Sequence, residues 1–433
     1  MAKYQKYAEY KDSGIEWLGE IPSHWKVTKL KFLAKIKNGQ DYKHVEAEKG
    51  FPVMGSGGQF TFSTEFMFDQ PSVLLGRKGT IDKPLFIDEP FWTVDTMYYT
   101  DVQKDIDVKY FYYLAKIILF DRYSTNTALP SMTQENLNNF EFSIPCDFDE
   151  RLAIRKFLDY ETAKIDTLIA KQEKLIELLK EKRQAVISHA VTKGLNPNVK
   201  MKDSGVEWLG EVPEHWKLVP LKYLCSFSGG GTPTKDNLTY WTNGNIPWVS
   251  PKDMKTFLIK ETQDYITEKA VKESSTNMVE PNSLLIVVRS GILQRTIPIA
   301  INIVPVTMNQ DMKALKFGQR ILVEYVANLI HGNTQQLLLE WSKEGATVES
   351  IEHEYLANSI IPVPPIEEQE EIIQHIDNEL KLFKQLENNA NKAIQLMQER
   401  RTALISAAVT GKIDVRHHAS RIMGNDKMQT EVV

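Results

Sequence analysis

Mostly apolar positions recur at alternating spacings of four and three along two long charged segments. The first carries Leu158, Thr162, Ile165, Ile169, Gln172, Ile176, Leu179, Arg183 and Val186. The second carries Ile376, Leu380, Phe383, Glu387, Ala390, Ile394, Met397, Arg401 and Leu404. With Glu, Lys and Gln on the outer faces, this is the seam of a coiled coil. Pro145 and Pro364/Pro365 stand just before the helices, where proline is tolerated. Acids fill both first turns (Asp147, Asp149, Glu150; Glu367, Glu368, Glu370, Glu371) and match the helix dipole, and Gly194 and Gly411 suit the stops. About 40 residues at 1.5 Å each make a rod roughly 60 Å long. Matched seams, with Arg183 and Arg401 at equivalent places, favour mutual pairing over packing of each helix on a separate core.

Between these segments the pattern changes. SVLLGRKGTIDKPLFI (72–87), FWTVDTMYYT (91–100), NSLLIVVRSG (282–291) and TIPIAINIVPV (296–306) are short, rich in β-branched or aromatic residues and broken by Gly, Pro and Asp, which predicts strands and turns. FYYLAKIILF (111–120) and LVEYVANLIHG (322–332) read as short helices. The expected class is α+β: two mixed α/β domains separated by a long antiparallel two-helix coiled coil, with internal pseudo-twofold duplication.

The duplication is written in the chain. DSGIEWLGEIPSHWK (12–26) returns as DSGVEWLGEVPEHWK (203–217), and EKRQAVISHAVTKG (181–194) returns as ERRTALISAAVTGK (399–412). SIPCDFDERLAIRKFLD (143–159) answers to PVPPIEEQEEIIQHID (362–377). The stretches inside this frame, about 38–142 and 225–360, show little mutual resemblance. Halves related by a twofold would make the helices antiparallel and put the variable domains at opposite ends of the rod. The expected parts are a first domain at 1–145, its helix at 146–193, a second domain at 194–363, its helix at 364–411 and a disordered tail at 412–433.

Composition narrows the function. With 433 residues, two or three domains are expected. A net charge of −5 argues against binding polyanions over the whole surface, so nucleic-acid binding requires segregated charge. Apolar runs such as SLLIVV (283–288) are too short to span a membrane, and the opening MAKYQKYAEY lacks a secretion-signal core. Cys146 and Cys225, without CxxC spacing, read as reduced thiols of a cytoplasmic protein.

Catalytic signals are poor. GRKGT (76–80) lacks phosphate-loop spacing, and FSGGGTPT (227–234) lacks GxGxxG; a strand leading into a loop that brings backbone amides to a partner fits it better. Asp95, Asp107 and Lys109 make only a commonplace imitation of a metal-nuclease triad. His24 and His215, in twin PxHW corners, read as structural histidines beside Trp25 and Trp216. No nucleophile has a base at recognisable spacing. The polar loops are better candidates: Arg77, Lys78 and Thr80 after one predicted strand, Arg289, Gln294 and Arg295 after another, with Asn126, Ser131, Asn309 and Gln310 as amide and hydroxyl donors.

Together the twin W-L-G-E-x-P-x-H-W openings, GGGTPT…YWTNGNIPWVSPKDM (229–254), GRKGTI, ALPSMTQENL (128–137), IPVPPIEEQEEII (361–373) and the paired ISxAVT ends resemble the specificity subunit of type I restriction–modification enzymes. The first half lacks the GGTP…IPWV passage. The resemblance implies two target recognition domains, each reading half of a split double-stranded DNA site, with Thr232, Lys235, Ser250 and Lys252 joining the DNA-contact candidates. It implies a non-catalytic chain working with two methyltransferase subunits and two restriction subunits, which would hold S-adenosylmethionine, ATP and Mg²⁺. Trp17, His24, Trp25, Trp208, His215 and Trp216 then become candidates for two equivalent partner-docking surfaces. The competing readings are a coiled-coil scaffold without DNA readout and an enzyme with an unrecognised site.

Overall fold

A computed structural model describes residues 4–123, 130–342 and 349–418. The chain divides into two compact units, residues 1–173 with 391–433, and 174–390. Both boundaries fall inside the long helices, Phe148–Lys193 and Ile366–Val409, so the units cut across the expected division into domains and separate helices.

Every seam position read from the sequence is buried or half-buried, while most of the positions between them are exposed. In the first unit, Ile154, Phe157 and Leu158 at the start of the first long helix share a core with Leu404, Ile405 and Ala408 at the end of the second. In the second unit, Ile187, Ala190 and Val191 from the end of the first share a core with Ile372 and Ile376 from the start of the second. Within each unit the helix segments therefore run antiparallel.

The variable stretches, unlike in sequence, fold on one plan. The first unit has a sheet in the order Ala34–Asn38, Met97–Val102, Ser72–Gly76, Leu85–Ile87. The second repeats it as Cys225–Gly229, Met312–Phe317, Ser283–Val287, Ile299–Asn302, and adds Leu258–Ile259 at the edge. The central strands Ser72–Gly76 and Ser283–Val287 are buried along their whole length, which explains their unbroken apolar character. A second sheet repeats one parallel and one antiparallel pairing: Phe51–Gly55 between Trp92–Thr93 and Gly58–Ser63, and Ile246–Val249 between Thr307–Met308 and Asp264–Ile266.

A helix packs beside each main sheet. Val108–Ala115 is capped by Asp107, whose carboxylate accepts from the Tyr110 amide at 2.8 Å. It stops five residues before the predicted end, and a separate turn of helix follows at Phe120–Tyr123. Its counterpart is Val323–Gly332. The tail expected to be disordered begins in ordered structure. Ile413 and Val415 are buried in the first core, and the Asp414 amide donates to the Gln5 carbonyl at 2.8 Å. Residues from 419 onward lie outside the described part.

Candidate nucleic-acid interface

Two loops project from corresponding ends of the two main sheets. In the first unit the amides of Arg77 and Lys78 both donate to the Thr96 carbonyl, at 2.9 and 3.2 Å, and Lys78 bridges Ser131. In the second the amides of Val288 and Arg289 both donate to the Asp311 carbonyl, at 2.8 and 3.3 Å, and Arg289 bridges Ser350. The flanking bonds agree as well. Met132 donates to the Arg77 carbonyl as Ile351 does to Val288, and Gly79 donates to Pro130 as Ser290 does to Glu349. Arg289 therefore corresponds to Lys78, and Val288 to Arg77.

Arg77 itself is turned back. Its guanidinium donates to the Asp95 carbonyl at 3.1 Å and lies 5.9 Å from the centre of the Tyr98 ring. Lys78, Thr80 and Arg289 are exposed, as are Gln294 and Arg295 on the short 3₁₀ helix Gly291–Gln294 and its cap. Thr232 donates to the Gln310 side chain, so these two polar groups stand together beside the Asp311 position. Lys235 and Lys252 are exposed.

Two candidates are interior. The hydroxyl and amide of Ser250 both donate to Asp253 at 2.9 Å, and Asn309 is held by Asp311 with 7% of its surface exposed. Both close turns within their own domain. Asn126 lies outside the described residues. The glycine-rich loop also differs from expectation: a Cβ on Gly230 would collide with the Asn309 carbonyl and one on Gly231 with Ser275, so these glycines permit a close approach inside the domain.

The twin motifs sit at the junctions of the long helices. The Trp25 indole donates to Glu150 at 3.0 Å, and His24 meets the other carboxylate oxygen at 2.9 Å. In the second copy His215 meets Glu368 at 2.8 Å. Gly411 and Gly194, both at φ +75, end the helices against Trp25 and Trp216 respectively. Both tryptophans are 1% exposed, because burying so large a side chain anchors the junction. They are core residues and cannot present a docking surface in this state.

These paired domains match known proteins. The family model for the type I restriction modification DNA specificity domain matches twice, over residues 22–178 and 213–396. The chain belongs to that family. A specificity subunit of Escherichia coli, EcoR124I/EcoR124II, is 40% identical over 200 residues, 46% of each chain. The MjaIX specificity subunit of Methanocaldococcus jannaschii is 30% identical over 44% of this chain and 43% of its own. The match thus spans about half the length of these relatives. Among solved structures, a chain from a study of assembly and conformational transition of the type I R-M system superposes with a TM-score of 0.67 at 13% identity, covering 90% of this chain and 98% of its own. The HsdS subunit from Thermoanaerobacter tengcongensis gives 0.53 at 13% identity, covering 91% and 98%. These last two establish the fold.

Several residues of the duplicated frame leave little signal in the sequence. The helix dipole accounts for acids in the first turn, and Glu150 is in addition the buried acceptor of the motif. Arg151 and Gln369, adjacent to the twin glutamates, cap carbonyls of Pro145 and Pro364 and of the loops at Asp105 and Arg320. Ser350 is hard to find from sequence because its counterpart Ser131 lies in PSMTQENL and it lies in ESIEHEYL; the shared signal is a serine six residues before a buried leucine. Asp107 caps a helix, and Lys109 pairs with Asp159 at 3.2 Å. Among the described residues no cluster of three or more His, Cys, Asp or Glu could hold a metal ion, and no helix is long and apolar enough to cross a membrane. Burial pushes the Cys225 thiol up to about 12, and both cysteines are free.

Proposed function

We propose that this chain is the DNA-recognition subunit of a type I restriction–modification complex, a non-catalytic protein that reads a split double-stranded site with its two variable domains. The observation that carries the reading is the equivalence of Lys78 and Arg289: one exposed cation at the same place on two domains of one plan, surrounded by different side chains. A shared scaffold with divergent polar loops suits the reading of two unlike half-sites.

The partners are two methyltransferase subunits, which carry S-adenosylmethionine and methylate adenine, and through them two restriction subunits that use ATP and Mg²⁺. Because Trp25 and Trp216 are buried, docking falls to the exposed side of the repeated frame. Phe32 and Tyr223 stand there at equivalent places, 64% and 69% exposed, each with a lysine (Lys31, Lys222) 5.3 Å from its ring centre. Half-buried Trp17 and Trp208, with His24 and His215, precede them in sequence.

Mapping methylated adenines in DNA from cells carrying this chain and its methyltransferase tests the reading. Methylation confined to one bipartite sequence is the expected result. Methylation without sequence preference, or binding of the partner without any DNA preference, would leave a scaffold instead.

A further inference from the structure

A cleft of about 410 Å³ in the first unit opens between the helix Val108–Ala115, the strand Leu85–Ile87 and segments of the two long helices. Three cations line it, Lys109, Lys116 and Arg401, against two carboxylates, Asp159 and Asp166. Both carboxylates are engaged. Asp159 takes Lys109 at 3.2 Å, Arg155 at 3.0 Å and the Tyr113 hydroxyl at 2.8 Å. Asp166 takes Arg401 at 3.2 Å.

Lys116 is left over. Its ammonium donates to the Pro84 carbonyl at 2.9 Å and lies 4.9 Å from the Tyr112 ring, and among the described residues it has no carboxylate at ion-pair distance. Burial, the facing Arg401 and neighbouring Lys83 all disfavour its charge, opposed only by Asp82, and bring it to about 8. A desolvated ammonium with two hydrogens to spare, beside a guanidinium, is a ready donor to an oxyanion. The second unit sharpens the contrast. There His331 stands where Lys116 does, after equivalent buried tyrosines Tyr110 and Tyr325, and Arg183 takes the place of Arg401. Burial and Arg183 hold the His331 imidazole below its ordinary range, so that site carries less charge.

We propose that this cleft is a phosphate-binding site particular to the first unit, with Lys116 and Arg401 as its principal ligands and Lys109 beside them. The phosphate is either free or a backbone phosphate of nucleic acid. The inference stands on the cleft alone and does not depend on sequence-specific readout.

The test uses the full chain, inorganic phosphate as probe and chloride at equal ionic strength as reference. Phosphate is expected to raise the melting temperature above the chloride value. Lys116→Met, which keeps the aliphatic stem, should abolish that increment and weaken phosphate binding roughly tenfold or more, while Lys116→Arg retains it. A duplex of arbitrary sequence separates the sources. If the salt slope of its binding falls by about one in Lys116→Met, the ligand is a backbone phosphate; an unchanged slope with phosphate binding lost marks a free anion site. Phosphate and chloride acting alike on the wild type, with duplex binding also unchanged in Lys116→Met, would overturn the proposal.

Discussion

Lys78 and Arg289 hold the same position in two domains that share almost no sequence. Each follows a fully buried central strand, shares a carbonyl with the preceding amide and bridges a serine, Ser131 or Ser350. If these cations contact base edges, Lys78→Ala and Arg289→Ala should each cost about 1–3 kcal/mol of specific binding and relax one position of the matching half-site. Competition binding against single-base variants of the site, with the methyltransferase present, measures this. A loss spread evenly over all sequences would make them phosphate contacts. Arg77→Ala should act differently, loosening the loop it ties to Asp95.

Glu150 predicts an asymmetry between the twin junctions. It accepts from both His24 and the buried Trp25 indole, and its side chain is 4% exposed; Glu368, 24% exposed, meets His215, and among the described residues the Trp216 indole has no partner. Glu150→Ala should therefore destabilise the chain by about 1–3 kcal/mol, more than Glu368→Ala, because it strands a buried donor. Urea unfolding of both variants gives the comparison. Equal losses would mean the indole bond contributes nothing.

Two glycines enforce the common domain plan. Gly39 and Gly230 each follow the first sheet strand, and a Cβ on either would strike a carbonyl, that of Val94 or of Asn309. Gly39→Ala and Gly230→Ala should each cost about 1–3 kcal/mol or more through overpacking against backbone that cannot yield. Gly229→Ala is the control, since nothing stands within 4 Å of its Cβ position. Thermal unfolding should separate the neighbours Gly229 and Gly230 clearly.

Phe32→Ala and Tyr223→Ala test the docking surfaces. Each ring is largely exposed, so folding stability should change little. Native mass measurement with the methyltransferase should show each single variant retaining one partner copy tightly and the double variant losing both. Two copies held as firmly by the double variant would place docking elsewhere.

The Lys116 ammonium also predicts a pH dependence. Its folded value lies near 8 against 10.5 ordinarily, so charging it opposes folding. That penalty is complete below about pH 8 and fades as pH rises towards 10.5. In chloride, Lys116→Met should be more stable than wild type near pH 7, with the gap closing at higher pH. A gap independent of pH would assign the effect to packing instead.

The long helices, their seam and the duplicated frame are legible in the amino-acid pattern alone. A strict heptad and a near-verbatim repeat are local signals that survive without tertiary context: the seam positions from Leu158 to Val186 and from Ile376 to Leu404 are all buried or half-buried. The same pattern also places the central strands, since SLLIV and SVLLG are apolar at nearly every position. What those signals mean depends on how the elements pack. Burial depends on neighbours distant in the chain, so Trp25 and Trp216 became core, Ser250 and Asn309 turned inward, and Glu150 found partners 125 and 126 residues away. The correspondence of Lys78 with Arg289 likewise rests on strand pairing and shared carbonyls, because a sheet specifies backbone register and inside-outside alternation and leaves the identity of loop side chains free.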